Sequence, residues 1–119
     1  MKILLADDQA EIRMGLRMLL EQENEMDISG EASDTEELLE LMKKLQPDLL
    51  LLDWELPGIS RIDAVPHLRK LSAKTKIIAL SGLPEAKSAA NLSGVDSFVS
   101  KGDRPDTILN TINKIFGGE

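Results

Sequence analysis

Short, uninterrupted apolar runs alternate along this chain with longer stretches of helical period. Lys2-Ile3-Leu4-Leu5-Ala6, Leu49-Leu50-Leu51-Leu52 and Ile77-Ile78-Ala79-Leu80 are the clearest runs. Such runs suit strands buried on both faces, as in a parallel sheet covered by helices. Pro47 before the second run and Pro57-Gly58 after it favour a short strand there over a helix. Met26–Ala32 is more polar and suits a sheet edge, and Ser97-Phe98-Val99-Ser100 is a fifth candidate. Between the runs, Ile12, Leu16, Leu19 and Leu20 share one helix face. Leu38, Leu41, Met42 and Leu45 repeat that spacing, as do Ile108, Ile112, Ile115 and Phe116.

Local signals bound these helices. Ser33-Asp34-Thr35-Glu36-Glu37 carries a capping-box pattern, and the helix it starts must stop before Pro47. A third helix holds Pro66, which is tolerated only in a first turn, so its start is expected near Asp63. A short helix from Pro84 to about Leu92 is expected to end at Gly94. The last begins at Asp103 with Pro105 in its first turn. The order is β-α five times over, without repeats or linkers, which predicts one α/β domain over residues 1–119. By analogy with flavodoxin-like folds of this size, a doubly wound (βα)5 sheet takes the strand order 2-1-3-4-5.

Composition narrows the chemistry. The 119 residues contain no cysteine and a single histidine, which excludes disulfides, thiolate nucleophiles, thiolate metal sites and multi-histidine zinc sites. Lys and Arg number 14 against 21 Asp and Glu, a net charge of −7. Phosphate backbones and anionic lipids repel such a surface, so neither nucleic acid nor membrane is an expected partner of these residues. The first apolar run is too short for a signal-peptide core or a membrane span, and a cytoplasmic setting is expected. A metal, if bound, is expected to be a hard cation on carboxylate oxygens.

In an open parallel sheet, ligands bind beyond the carboxyl ends of the strands, where the strand order reverses. The polar residues that follow each run therefore matter most: Asp7-Asp8, Asp53, Ser81-Gly82 and Lys101-Gly102. Carboxylates gathered there repel one another, and a divalent cation offsets that repulsion. Mg²⁺ keeps several waters and so leaves an open side for phosphoryl oxygens. Lys101 can neutralise one such oxygen and Ser81 can donate to another, while a carboxylate can itself accept a phosphoryl group.

Asp7-Asp8, Leu-Leu-Leu-Leu-Asp53-Trp-Glu-Leu-Pro57-Gly58, Ala-Leu-Ser81-Gly82 and Gly94-Val-Asp-Ser-Phe98-Val-Ser-Lys101 together resemble the receiver (CheY-like) domain of two-component response regulators. The resemblance spans the chain, and Lys101-Gly102-Asp103 is most similar to the NarL/LuxR-type subfamily. It implies that Asp53 accepts a phosphoryl group from a sensor histidine kinase, with Mg²⁺ held by Asp8, Asp53 and the Glu55 carbonyl, and by Asp7 through water. It implies that Ser81, Gly82 and Lys101 bind the phosphoryl group, and that Ser81 and Phe98 switch the face of helix four, strand five and helix five. The domain would catalyse only its own phosphorylation and dephosphorylation, and would be no enzyme in the turnover sense. A homodimer on phosphorylation, and transcription regulation through a DNA-binding domain outside these residues, are further implications.

Some positions depart from the family pattern. Ser81 and Lys101 stand 20 positions apart, about two fewer than usual, so helix four is expected to be short. Ser60-Arg61 replaces a common Asp-Gly pair, and Trp54 replaces a smaller aliphatic. Taken singly, many of these residues have plainer roles. An Asp-Asp pair can cap a turn, Asp53 can start one, Lys101 can be a surface charge and Phe98 a half-buried strand residue. His67 is expected to be structural among apolar neighbours, Trp54 to lie on the pocket rim, and Arg13 and Arg17 to solvate helix one. Glu55 and Leu83 are expected to flank the pocket. Two functions compete with a phosphorylatable receiver: a degenerate receiver that binds partners regardless of phosphorylation, and a phosphohydrolase built on Asp53 and Glu55.

Overall fold

A computed structural model of the chain describes residues 1–59 and 63–117. Ten elements alternate: β1 (Lys2–Ala6), α1 (Ala10–Glu21), β2 (Asp27–Ala32), α2 (Thr35–Leu45), β3 (Leu49–Asp53), α3 (Ala64–Leu71), β4 (Lys76–Ser81), α4 (Ala86–Leu92), β5 (Ser97–Ser100) and α5 (Pro105–Gly117). The strands form one parallel sheet in the order β2-β1-β3-β4-β5. This is the doubly wound flavodoxin-like arrangement expected from the pattern. Register brings Ala6 beside Ala32 and Leu52, Asp53 beside Leu80, and Ser81 beside Ser100. The carboxyl ends of all five strands thus finish nearly level.

Alternation along the central strands divides the core in two. Leu4, Ala6, Leu50, Leu52 and Ile77 face α2 and α3, where Leu38, Met42, Val65 and Leu68 are buried. Ile3, Leu5, Leu49, Leu51 and Ile78 face α1 and α5, meeting Leu16, Leu20 and Ile112. Each fully buried leucine contributes roughly 1.5–3 kcal/mol of transfer free energy. Unbroken apolar runs are what such strands require, since both of their faces are covered. β2 lies at the edge and most of its residues are only half-buried, which explains its polar composition.

The helix boundaries follow local chemistry. Asp34 caps α2 by accepting from the Glu37 N–H, while the Glu37 carboxylate reaches back to the Ser33 N–H and hydroxyl. At the other end Gln46 adopts φ 48°, and its side-chain amide donates to the Met42, Lys43 and Leu71 carbonyls. The proline at 47 disfavours continued helix at Gln46, and the amide satisfies carbonyls that the helix leaves open. Pro66 occupies the third position of α3, so its missing N–H breaks no helical bond. α5 starts at Pro105 itself, two residues later than expected, because Asp103 instead folds back to accept from the Ser100 N–H. α4 starts two residues after Pro84, is seven residues long, and is followed by Gly94 at φ 94°, as the shortened spacing implied. His67 is exposed, not set among apolar neighbours as expected: it lies on the solvent side of α3, whose buried residues are Ala64, Val65 and Leu68. Ser60-Arg61 lies outside the described residues.

Replacing Leu50, buried in the central strand, by alanine is expected to lower stability by about 2–5 kcal/mol. The measurement is urea unfolding, with a lower midpoint at unchanged slope.

Candidate functional site: a carboxylate pocket at the sheet rim

β1 and β3 are neighbours and both end in acid. Register carries Asp7 past Ala6 and places Asp53 last in β3, so the two side chains emerge at the same rim. One ligand oxygen from each of Asp7, Asp8 and Asp53 falls within a mutual 4.8 Å. Asp7 and Asp53 are buried, whereas Asp8 is exposed. Lys101, delivered by the end of β5, reaches over them: its Nζ lies 2.8 Å from Asp7 Oδ2 and 3.2 Å from Asp53 Oδ1. The Lys101 backbone N–H donates to the Ser81 carbonyl at 2.8 Å, which ties this loop to the end of β4.

Hydrogen bonds hold the carboxylates in place. Gln9 N–H donates to Asp7 Oδ1 at 2.8 Å, and Glu55 N–H donates to Asp53 Oδ1 at 3.0 Å. Asp53 therefore does start a turn, and that same turn fixes its rotamer. Pro57-Gly58 continues it and docks on α2, where the Pro57 carbonyl accepts from the Thr35 hydroxyl at 2.8 Å. Gly58 has φ 89°, and a β-carbon there would meet Thr35 at 3.2 Å, so no larger residue suits the position.

One oxygen is sparingly held. Asp7 Oδ2 is buried, and among the described residues its one polar contact is the Lys101 ammonium. Three convergent carboxylate oxygens, two of them from buried acids and with one lysine to share, fit a hard divalent cation that takes oxygen ligands. Burial pushes the Asp53 carboxyl above its ordinary value, and the Asp7 charge adds to this against the Glu55 N–H and Lys101. Burial pulls the Lys101 ammonium down, but its bonds and charge attraction to Asp7 and Asp53 outweigh this and raise it.

A cleft of about 400 Å³ opens over the acids, lined by Asp8, Asp53, Glu55, Gly82, Leu83 and Lys101. Glu55 and Leu83 thus flank the pocket as expected. A second cleft of similar volume, about 410 Å³, lies between α1 and α5 and shares only Lys101 with the first. Ile12, Leu16, Leu19 and Ile108 make it apolar, so the polar chemistry belongs to the carboxylate cleft.

Of the remaining side chains singled out in the sequence, Trp54, Arg13 and Arg17 depart from expectation. Ser81 is buried beneath the cleft and turned to one side: its hydroxyl donates to Glu55 Oε2 at 2.7 Å and accepts from Leu83 N–H at 2.9 Å. Trp54 packs against the α2–α3 core and lies off the cleft lining, because it points to the face opposite its neighbour Asp53. Phe98 is half-buried and lines a separate depression with Pro84, Lys87 and Ser100. Arg13 and Arg17 do more than solvate α1. Arg13 donates to Glu31 at 2.8 Å and to the Asp7 backbone carbonyl, and Arg17 grips the other oxygen of Glu31. The Arg17 bond outweighs burial and, with Arg13, holds the Glu31 carboxyl below its ordinary value. Their spacing of four on one helix face was a signal, but their partner lies on another strand.

The fold is a doubly wound α/β domain with clustered acids and a lysine where the strand order reverses. The family described as the response regulator receiver domain matches residues 3–113. The chain belongs to that family, and its relatives place it with response regulators of the NarL/LuxR type. It is 32% identical to the nitrate/nitrite response regulator protein NarL of Escherichia coli K12, over 98% of this chain and 55% of that protein. The chain therefore spans about half the length of the curated relatives it matches most strongly. It is 28% identical to the chemotaxis protein CheY of Thermotoga maritima, over 96% of each. A crystal structure of a LuxR-family two-component response regulator from Aurantimonas sp. SI85-9A1 superposes with a TM-score of 0.85 at 28% identity, covering 99% of this chain and 86% of that one.

The raised Asp53 pKa has a definite sign for stability. Its charged form is penalised in the folded state. The penalty is absent below the ordinary value of 3.8, builds as pH rises, and is complete above the folded value. Asp53→Asn is therefore expected to raise the urea midpoint at pH 7 in the presence of a chelator. An unchanged or lower midpoint contradicts the penalty.

Proposed function

We propose that this domain accepts a phosphoryl group on Asp53, with Mg²⁺ in the carboxylate pocket, and uses the modification to switch an output. The observation that carries the reading is the convergence of Asp7, Asp8 and Asp53 under Lys101. Receiver domains of the family bind Mg²⁺ at an acidic pocket and are not enzymes in the turnover sense; those of NarL type are phosphorylated by histidine kinases. Asp8 and Asp53 would hold the ion with the Glu55 carbonyl, and Asp7 through water. The ion would supply positive charge to phosphoryl oxygens on the open side of the cleft.

The residues divide the work. Asp53 Oδ1 is already occupied by Glu55 N–H and Lys101, while Oδ2 has no hydrogen bond among the described residues, so Oδ2 is assigned as the nucleophile. It forms a P–O bond as the P–N bond of a kinase phosphohistidine breaks, and the imidazole leaves with the electron pair. Lys101 neutralises charge on the transferring group, and the Gly82 backbone, open towards the cleft, leaves room for it. Ser81 would then leave Glu55 to donate to the phosphoryl group, with Phe98 following. A change of state on phosphorylation shifts a two-state equilibrium at the face of α4, β5 and α5. The proposed output is transcription regulation through a DNA-binding domain outside these residues, with dimerisation on phosphorylation, in a cytoplasmic setting; the chain is similar to a nitrate/nitrite response regulator, and among the described residues no helix is long and apolar enough to cross a membrane. The whole of residues 1–119 is read as one receiver domain.

Two observations favour a second reading. The seven-residue α4 and the Ser81–Glu55 bond suit a receiver held in one state that binds partners regardless of phosphodonor.

Incubation with Mg²⁺ and acetyl phosphate is expected to add a single phosphoryl group by intact mass, and none to Asp53→Asn. Absence of labelling of the wild type refutes the reading. Because Glu55 holds Ser81 by a charge-assisted bond, its loss should favour the switched state. Glu55→Ala is expected to bind beryllofluoride with Mg²⁺ about tenfold more tightly, in keeping with roughly 1.5–3 kcal/mol for such bonds. Equal or weaker binding contradicts a restraining role for Glu55.

A further inference from the structure

Arg13 lies outside the cleft lining, yet every strong contact it makes leads back to the acids. Its Nη1 donates to the backbone carbonyl of Asp7, and its Nε donates to Glu31 Oε1 at 2.8 Å. Glu31 stands on β2 opposite Leu5, one residue short of the rim. Its second oxygen is clamped by Arg17 through Nε at 2.9 Å and Nη2 at 2.6 Å. The Asp7 N–H also reaches β2, donating to the Ala32 carbonyl at 3.0 Å. The edge strand thus holds both ends of Asp7: Ala32 takes its N–H directly, and Glu31 aims the arginine that takes its carbonyl.

That carbonyl belongs to the Asp7–Asp8 peptide plane. Asp8 is exposed and makes no side-chain hydrogen bond among the described residues, so its carboxylate is directed by its backbone alone. We propose that Arg13 is a positioning residue for cation binding: by fixing the Asp7–Asp8 peptide against Glu31, it aims the Asp8 carboxylate at the site shared with Asp7 and Asp53. Its two bonds demand a planar guanidinium, which spans two acceptors in fixed directions; an ammonium on a flexible stem does not. Arg13 does not bind the phosphoryl group, since its donors are turned to Glu31 and to the backbone.

Charge and positioning predict opposite outcomes, which makes the inference testable. A cation beside the site repels Mg²⁺, so removing it for reasons of charge alone strengthens binding. Removing a group that orients a ligand weakens metal binding, by about 10–100-fold where such outer partners have been replaced. Arg17 is an internal control, because it grips the same Glu31 but makes no contact with Asp7 among the described residues.

The inference rests on the Mg²⁺ site proposed above. The experiment is calorimetric titration with Mg²⁺ of the wild type, Arg13→Met, Arg13→Lys, Arg17→Met and Arg17→Lys, alongside urea unfolding of each without metal. Arg13→Met and Arg13→Lys are expected to bind Mg²⁺ at least tenfold more weakly than the matching Arg17 variants, whatever their stabilities. Arg13→Lys keeps the charge, so its loss of affinity isolates geometry and carries the test if Arg13→Met does not fold. Affinities for both Arg13 variants equal to or tighter than those of the Arg17 variants overturn the role of Arg13 and leave the site standing. Failure of the wild type to bind Mg²⁺ overturns the site itself, together with the inference.

Discussion

The mutual repulsion of Asp7, Asp8 and Asp53 is the constraint around which the rim of this domain is arranged. Three carboxylates with ligand oxygens inside 4.8 Å raise one another's energy, and two of them are buried where water cannot screen them. One lysine, shared between Asp7 and Asp53, offsets only part of that charge. The fold supplies the rest of the restraint through backbone N–H groups from Gln9 and Glu55, each two residues beyond the acid it holds. Short turns directly after β1 and β3 are thus part of the site as much as the acids are. The proposed Mg²⁺ would relieve that repulsion and, through its charge, admit an anion that the acids alone would repel.

The sheet makes this crowding possible. Apolar runs buried on both faces fix β1 and β3 side by side, and the core on either side is dense enough to hold their ends in register. Folding free energy from these leucine layers is what keeps like charges together at the rim. The turn after β3 is anchored on α2 through Pro57 and Thr35, and the loop after β5 on β4 through Lys101 N–H and Ser81 carbonyl. Both anchors tie loops carrying charged groups to the rigid scaffold.

Most of the architecture was legible in the chain itself, because buried parallel strands need uninterrupted apolar runs and helices announce their ends. Asp34 with Glu37, Pro47, Gly94 and the early Pro66 each marked a boundary to within a residue or two. The acids were legible because they follow strands directly. What could not be read was side-chain direction across elements. His67 and Trp54 were misplaced because small changes in helix phase or strand parity decide which face a side chain takes. Arg13 was read as solvation because its partners, Glu31 and the Asp7 carbonyl, are brought near only by the pairing of β2 with β1. The resting partner of Ser81 was likewise out of reach, since its bond to Glu55 joins the ends of two neighbouring strands in a way that spacing alone does not reveal.

The most direct measurement of the carboxylate account is urea stability of the wild-type chain as a function of free Mg²⁺ at neutral pH. A ligand that binds only the folded state stabilises by RT ln(1 + [L]/Kd), so the midpoint should climb steadily with the logarithm of Mg²⁺ once the dissociation constant is passed. The same rise should be lost in Asp53→Asn, which removes both a ligand charge and the repulsion that the ion relieves. A wild-type midpoint that ignores Mg²⁺, or an equal rise in the Asp53→Asn variant, contradicts the claim that these three acids form a cation site.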